Sequence, residues 1–154
     1  SLDLEDETLA QADIVIASIH SGFKMDEKKM MQRLARAFKN PHIDIFAHPT
    51  GRIILERAPY AVNVKEMMRM AIDAGILLEI NAYPDRLDLR DADARLAKDM
   101  GAMLVINTDA HSADQLNLME YGVFTARRAW LEKRHVANTL SLRDLQKILR
   151  HSKR

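Results

Sequence analysis

Three histidines and one aspartate each follow a short apolar segment, in a pattern that could bind metal ions. His20 ends the segment ASIH, His48 ends IFAH, and Asp109 and His111 lie in INTDAH. Neutral imidazoles and carboxylates are ligands that suit Mn²⁺, Zn²⁺ or Fe²⁺. The sequence contains no cysteine, so disulfides, thiolate metal sites and cysteine nucleophiles are excluded. A single D-x-H motif would be weak evidence for a metal site. Because all four residues follow apolar segments, joint metal binding is favoured over a role as separate histidines that stabilise loops.

The apolar segments themselves have the length of β-strands. None of them alternates polar with apolar residues, which favours a parallel sheet covered by helices over a sheet with one exposed face. Parallel strands end at one common rim, where loops converge and catalytic groups from different strands meet. The four candidate ligands are therefore predicted to share this rim. The segments are DIVIASI from Asp13, IDIFA from Ile43, ILLEI from Ile76 and AMLVI from Ala102.

Amphipathic segments between these strands predict helices over residues 26–39, 63–74 and about 90–100. Asp26 is expected to cap the first helix and Asn40-Pro41 to stop it. Gly75 and Gly101 stand where C-terminal caps belong. The order βαβαβαβ predicts an α/β fold of parallel-sheet βα repeats, and the repeat length fits a (β/α) barrel of about 31 residues per unit or an open sheet.

The chain after the fourth strand is predicted to be helical. Two helical stretches are expected, broken near Gly122, and then a last helix from Leu142 to about Arg150. Ser141 and Asp144 form an S-x-x-D arrangement that is typical of a helix start. Four strands cannot close a barrel, so we expect either that part of the barrel is missing or that the exposed sheet edge pairs with another strand.

Other polar residues admit a structural or a functional interpretation. Glu79 lies inside its strand, and a buried structural carboxylate is favoured over a partner of a metal ligand. Arg52 in the loop HPTGR carries a planar fork suited to phosphate, although a plain turn with a surface arginine is equally compatible. His42, His135 and His151 lie in a turn and near the C-terminus, and they are interpreted as structural.

Composition predicts one soluble globular domain over residues 1–154. The chain is 47% hydrophobic and 29% charged, which is enough apolar material for a core. It has no apolar stretch of the roughly 18 to 20 residues that a membrane span needs, and the segment SLDLEDE lacks the features of a secretion signal, so we expect no membrane partner and a cytoplasmic location. The net charge of +1 makes no general case for nucleic acid. One basic cluster is interpreted as a solvated face: Arg127, Arg128, Lys133, Arg134, Lys153 and Arg154.

The motifs SIHSGF, HPTGR, EINAYPDRLDL and INTDAHS, followed by YGVFTARRAWLEK and NTL, resemble one known family over essentially the whole chain. Their order, spacing and flanking residues are similar to the C-terminal stretch of the polymerase and histidinol phosphatase (PHP) domain in bacterial and archaeal family X DNA polymerases. The resemblance implies the C-terminal portion of a distorted (β/α)₇ barrel. At its strand rim, up to three metals (manganese, zinc or iron) would hydrolyse phosphoesters.

The resemblance also assigns roles to individual residues. His20 and His48 match two ligands of one metal, Asp109 matches the carboxylate on a second, and His111 matches a ligand of the third. Arg52 and Asn81 match residues near the site. The family's H-x-H motif, further histidines and bridging glutamate would precede Ser1, so this chain is expected to hold an incomplete centre.

The implied activity is 3′–5′ exonuclease or 3′-phosphatase action on DNA ends, within a parent polymerase. Metals would activate water, so no side-chain nucleophile is expected. A small-molecule phosphatase of the histidinol-phosphate kind would use the same centre and remains an alternative. An alternative of another class is a catalytically inactive half-barrel, acting as an interaction module that forms a homodimer through its exposed sheet edge.

Overall fold

A computed structural model describes residues 2–149 of the chain. Its strands form one sheet in which each strand pairs in parallel with the next along the sequence. This arrangement confirms the predicted α/β fold of βα repeats, and it is consistent with part of a βα barrel. The strands are β1 (Ile16–Ala17), β2 (Ile45–Phe46), β3 (Leu77–Asn81) and β4 (Leu104–Asn107).

Helices connect the successive strands as the sequence predicts. The predicted caps form: Asp26 accepts a hydrogen bond from the N–H of Lys29 at 2.8 Å, and Gly75 ends its helix with φ 69°. Short 3₁₀ helices, Ala113–Leu118, Lys133–His135 and Ala137–Thr139, occupy parts of the chain after β4. The helices are α1 (Asp6–Leu9), α2 (Glu27–Ala37), α3 (Val64–Ala74), α4 (Asp91–Asp99), α5 (Met119–Arg128) and α6 (Leu142–Ile148).

The two faces of the sheet are buried to different extents. On one face, Phe46, Leu78 and Leu104 join the main core with residues of α2 to α5. On the other face, a smaller cluster joins strand residues to the C-terminal segment through Ala137 and Leu149. Across this second face, Ile45 is buried, whereas its register partner Ile16 on β1 is 53% exposed. The C-terminal segment therefore covers only part of the second face.

The outer edge of β4 is closed by the same C-terminal segment. Asn138 Oδ1 accepts from the N–H of Ile106 at 2.7 Å, and Asn138 Nδ2 donates to the Ile106 carbonyl at 2.9 Å. Leu104 also forms a parallel bridge with Val136. At the opposite end, β1 has no further strand beside it within residues 2–149. The expected bare edge is therefore that of β1.

The predicted helix break near Gly122 is wrong. The backbone changes from a 3₁₀ helix to α5 at Met119, and α5 continues through Gly122 to Arg128. A Cβ atom at Gly122 would lie 2.4 Å from Cγ2 of Ile106 and 2.9 Å from Cβ of Ala82. This glycine therefore permits close packing of α5 on the sheet rather than interrupting the helix.

The final helix starts as predicted, because Ser141 Oγ accepts from the N–H of Asp144 at 3.2 Å. The structure assigns α6 up to Ile148, and the predicted end at Arg150 lies outside the described residues, as do His151, Lys153 and Arg154. None of the helices within residues 2–149 is long and apolar enough to cross a membrane.

Gly122→Ala should lower the free energy of unfolding by about 1–3 kcal/mol, because the added methyl group overpacks the contact with Ile106 and Ala82. Urea denaturation followed by circular dichroism measures the change. Val123→Ala, at an exposed position of the same helix, is the matched control and should be nearly neutral. A gain in stability of about 1 kcal/mol, which alanine has over glycine inside a helix without a clash, would contradict the close packing of α5 on the sheet.

Candidate metal site

Two predicted ligands meet where β1 and β2 end. His20 and His48 follow these adjacent strands, and their ring centroids lie 5.4 Å apart. His20 is exposed, and its Nε2 lies 2.9 Å from Oγ of Ser18. His48 is only 5% exposed. The structure therefore places one accessible and one buried imidazole at the same rim of the sheet.

The buried ring of His48 has an unused nitrogen. Its Nδ1 makes no hydrogen bond within the described part of the chain. Burial, with the guanidinium of Arg86 and the ring of His20 acting in the same direction, lowers the pKa of His48 to about 4, although the carboxylate of Asp109 opposes the shift. The imidazole is therefore neutral near pH 7, the state in which histidine binds a metal.

Asp109, the third predicted ligand, follows β4 and lies close to the same charges. Its Oδ2 accepts a hydrogen bond from Asn81 Nδ2 at 3.2 Å and forms an ion pair with Arg86 Nε at 3.3 Å. Arg86 Nη1 is buried without a hydrogen-bond partner in the described residues. Asp109 and His48 both have positive φ, 54° and 33°. Residues other than glycine rarely adopt this conformation, and those that do are found disproportionately at functional sites.

His111 lies beside this group without joining it closely. It is exposed, its Nδ1 lies 2.7 Å from the carbonyl oxygen of Asp109, and its N–H donates to Gln115 Oε1 at 2.6 Å. Within residues 2–149, no three His, Asp or Glu side chains lie close enough together to hold a metal ion. His20, His48 and Asp109 lie at one rim, and their side chains are donors that fit a divalent metal. Within the described residues they do not form a complete coordination shell.

Glu79 connects the ends of three strands behind this rim. Its Oε2 accepts from the N–H of His48 at 2.7 Å and from Asn81 Nδ2 at 3.2 Å, while Oε1 accepts from Asn107 Nδ2 at 2.9 Å. Burial raises the pKa of Glu79, and these hydrogen bonds oppose the rise. The contacts support the interpretation of Glu79 as a buried structural carboxylate, and they show that one of its partners is the backbone of a candidate ligand.

A second buried carboxylate holds the loop HPTGR that follows His48. Asp88 Oδ2 accepts from the N–H groups of Thr50 at 3.0 Å and Gly51 at 2.9 Å. Gly51 has φ 63°, and a Cβ there would lie 2.8 Å from the ring of Tyr60. Glycine is thus required at this turn on two grounds. No local pattern in the sequence indicates a role for Asp88, because its partners lie far away along the chain.

Arg52 holds the same loop from its other end. Its Nε donates to the carbonyl of Arg86 at 2.7 Å, and its Nη2 donates to the carbonyl of Leu87. Two of its three nitrogens therefore donate to backbone, which leaves Nη1 and the second N–H of Nη2 for a ligand. The predicted phosphate-binding role of Arg52 stays a prediction. Arg86, for which the motif EINAYPDRLDL indicated no separate role, contacts Asp109 directly.

The histidines that were predicted to be structural lie away from this rim. His42 is buried, in the turn before β2. His135 Nδ1 accepts from the N–H of Glu132 at 2.9 Å and so caps the 3₁₀ helix Lys133–His135. These contacts agree with a structural role for His135.

Comparison with known proteins finds similarity to polymerase and phosphatase sequences. The DNA polymerase/3′-5′ exonuclease PolX of Bacillus subtilis is 45% identical over 152 residues, which are 99% of this chain and 27% of that protein. A probable phosphatase of Thermoanaerobacter is 26% identical over 163 residues, 100% of this chain and 64% of that protein. Another, from Caldanaerobacter subterraneus, is 30% identical over 119 residues, 71% of this chain and 44% of its own length. No family model matches the chain.

The chain thus spans about a quarter of the length of PolX and less than two thirds of the length of these phosphatases. The similarity to PolX confirms the predicted relationship to this kind of DNA polymerase. Membership of the PHP family stays a prediction that rests on the motifs.

Asp88→Ala should lower the free energy of unfolding by about 1–3 kcal/mol, because the N–H groups of Thr50 and Gly51 lose a buried acceptor. Asp88→Asn keeps one acceptor oxygen, so its free energy of unfolding at pH 7 should fall by less than that of Asp88→Ala. Urea denaturation of both variants measures the difference. Equal losses would show that the carboxyl oxygen does not hold this loop.

The same pair of proteins, wild type and Asp88→Asn, should differ in pH dependence. Burial raises the pKa of Asp88 from 3.8 to about 6, so between about pH 4 and pH 6 the folded protein holds a proton that the unfolded chain has released. Wild type should therefore lose up to about 3 kcal/mol relative to Asp88→Asn as the pH rises through this window. Parallel stability curves over this window would contradict the raised pKa.

Proposed function

We propose that this chain forms part of a metal-dependent phosphoesterase domain of the PHP type, which hydrolyses phosphoesters at the 3′ ends of DNA. The observation that carries the proposal is the buried, neutral His48 with its unpartnered Nδ1, beside His20 and Asp109 at the ends of parallel strands. The 45% identity to PolX supports the DNA substrate, since that protein is named as a 3′-5′ exonuclease. The cytoplasm is the compartment proposed for it.

The proposal assigns His20 and His48 to one divalent metal, Asp109 to a second and His111 to a third. Bound manganese, zinc or iron would lower the pKa of a water molecule and polarise the phosphoryl oxygen. Residues outside this chain would complete the coordination shells, because His20 and His48 alone leave positions open. The rest of the parent polymerase is therefore the proposed partner that supplies them.

The remaining residues position these donors and balance their charge. Glu79 fixes the backbone of His48, and Asn81 and Arg86 fix the carboxylate of Asp109. Arg52 Nη1, which binds no backbone carbonyl, would donate to a phosphate oxygen of the substrate. Arg86, whose unpartnered Nη1 is buried, would act through its charge rather than through direct contact. Both guanidinium groups then stabilise negative charge that develops on the phosphoryl group.

His48→Ala and Asp109→Ala should each reduce Mn²⁺-dependent release of nucleotide or phosphate from DNA 3′ ends by at least about 100-fold, because each removes a metal ligand. His135→Ala removes a histidine outside the rim and should retain activity. Isothermal titration with Mn²⁺ gives a second measurement, in which only the first two variants should lose binding.

Substrate choice separates the enzymatic alternatives. Oligonucleotides with a 3′-hydroxyl and with a 3′-phosphate distinguish exonuclease from 3′-phosphatase, and histidinol phosphate tests the small-molecule alternative. Faster hydrolysis of histidinol phosphate than of DNA would favour that alternative. If neither this chain nor the parent polymerase hydrolyses any of these substrates with Mn²⁺, Zn²⁺ or Fe²⁺, the enzymatic proposal is wrong.

The exposed edge of the sheet favours a second candidate function, an inactive interaction module. Ile16 on β1 is 53% exposed although its register partner Ile45 is buried, and Ile14 beside it is exposed too. An apolar strand with unpaired backbone groups is a template for pairing with another chain. A second copy of this chain is the occupant that can be tested directly.

Wild type should form a homodimer at high micromolar concentration in sedimentation velocity, because pairing along β1 covers Ile14 and Ile16. Ile16→Lys should sediment as a monomer, since a charge at this edge opposes pairing. Leu55→Lys, at a fully exposed loop position, is the matched control and should leave the dimer intact. A monomeric wild type would contradict the homodimer.

A further inference from the structure

A cleft of about 360 Å³ opens beside the candidate metal site, between the loops after β2 and β3 and the helices α4 and α5. It adjoins the rim through Arg52, which lines the cleft and donates to the carbonyl of Arg86, whose side chain contacts Asp109. Charged and aromatic side chains form most of its wall. Those that matter for recognition are Arg52, Arg90, Asp91, Tyr121, Phe124 and Arg128.

Two aromatic rings in this wall are exposed without a packing role. Tyr121 is 40% exposed and Phe124 is 51% exposed, and neither belongs to the hydrophobic core of the described residues. They lie three residues apart on α5, so they occupy the same side of the helix one turn apart. Exposed rings in a row offer stacking surfaces to successive bases of a single-stranded nucleic acid.

Arginines line the cleft beside these rings, and the ion pairs that these arginines form are weak. Arg128 Nη2 pairs with Asp91 Oδ2 at 2.8 Å, and Arg90 Nε pairs with Asp93 Oδ2 at 2.7 Å. Both arginines are largely exposed, where ion pairs contribute little and exchange readily. With Arg52, the wall carries three cations and one carboxylate, Asp91. This excess of positive charge suits a phosphate backbone.

We propose that this cleft binds the single-stranded segment of DNA that leads to the 3′ end under hydrolysis. The bases stack on Tyr121 and Phe124, and the phosphates lie against Arg52, Arg90 and Arg128. The inference rests on the proposed function and makes it more specific, because stacking platforms remote from the reacting phosphate have no use in a small phosphomonoesterase. It gives a binding role to Arg90 and to Tyr121 and Phe124, which belong to the motif YGVFTARRAWLEK, and it replaces the interpretation of Arg128 as part of a solvated face.

Fluorescence anisotropy with a short, 5′-labelled oligo(dT) in EDTA tests the cleft without metal or hydrolysis. Phe124→Ala and Arg128→Ala should each weaken binding about 5- to 10-fold, through loss of stacking and of a phosphate contact. Asp91→Asn should tighten binding about twofold, because it removes the carboxylate that competes with phosphate for Arg128. Phe124→Trp should restore affinity, since it keeps a stacking ring.

Matched controls lie on the same helix. Val123→Ala and Arg127→Ala change exposed neighbours that do not line the cleft, and they should bind oligo(dT) like wild type. Circular dichroism of every variant verifies that α5 remains folded. If Phe124→Ala and Arg128→Ala bind no more weakly than their controls, the cleft proposal is overturned. Competition by dTMP as strong as that by oligo(dT) would also overturn it, because the site would then recognise a single nucleotide phosphate.

The proposed function and the cleft fail in distinguishable ways. Oligo(dT) binding that responds to Phe124→Ala and Arg128→Ala, with no hydrolysis under any metal, would refute the phosphoesterase activity of this chain and support the cleft. DNA hydrolysis that depends on His48 and is unchanged in KM by Phe124→Ala and Arg128→Ala would support the proposed function and refute the cleft.

Discussion

The buried carboxylate of Glu79 is the interaction on which the candidate site depends. It accepts hydrogen bonds from the backbone of His48 and from the side chains of Asn81 and Asn107, so it joins the ends of β2, β3 and β4. A carboxylate without water is stable only when donors surround it, and this requirement holds three neighbouring strand ends in one arrangement. The positions of His48 and Asp109 at the rim follow from that arrangement.

The other carboxylates around the rim also have partners that compensate their charge. Asp109 is compensated by Arg86 and Asn81, and Asp88 is compensated by the backbone of the loop after His48. His48 remains neutral because its burial, and then the charge of Arg86, lower the pKa of its imidazole. The rim therefore combines neutral imidazole, carboxylate and guanidinium groups, which together suit a metal-bound phosphoester better than any of them would alone.

The same sheet supports two surfaces with different roles. Its well-covered face packs on α2 to α5, and the close approach of α5 at Gly122 fixes where Tyr121 and Phe124 emerge. The result is an aromatic and cationic cleft next to the rim. Its other face is covered in part by the C-terminal segment and stays open at Ile16. The proposed substrate contacts and the proposed protein contacts are thus separated by the sheet.

Local patterns in the sequence were sufficient to predict the strands and the helices between them. They also predicted the helix caps at Asp26, Gly75 and Ser141 and the polar residues at the strand ends. These features depend on residues close together in the chain, where periodicity and capping chemistry act. The position of Gly122 within α5 was visible only in the tertiary structure. A glycine is needed there because the helix contacts β4 closely, and not because the chain turns. The roles of Arg86, Asp88 and the cleft at Phe124 likewise needed the fold, since their partners are brought close by the sheet rather than by sequence spacing. Residue types and strand patterns are enough to predict which chemical groups stand at the strand ends. Which of these groups meet depends on the folded chain, because burial and hydrogen bonding act on distances in space.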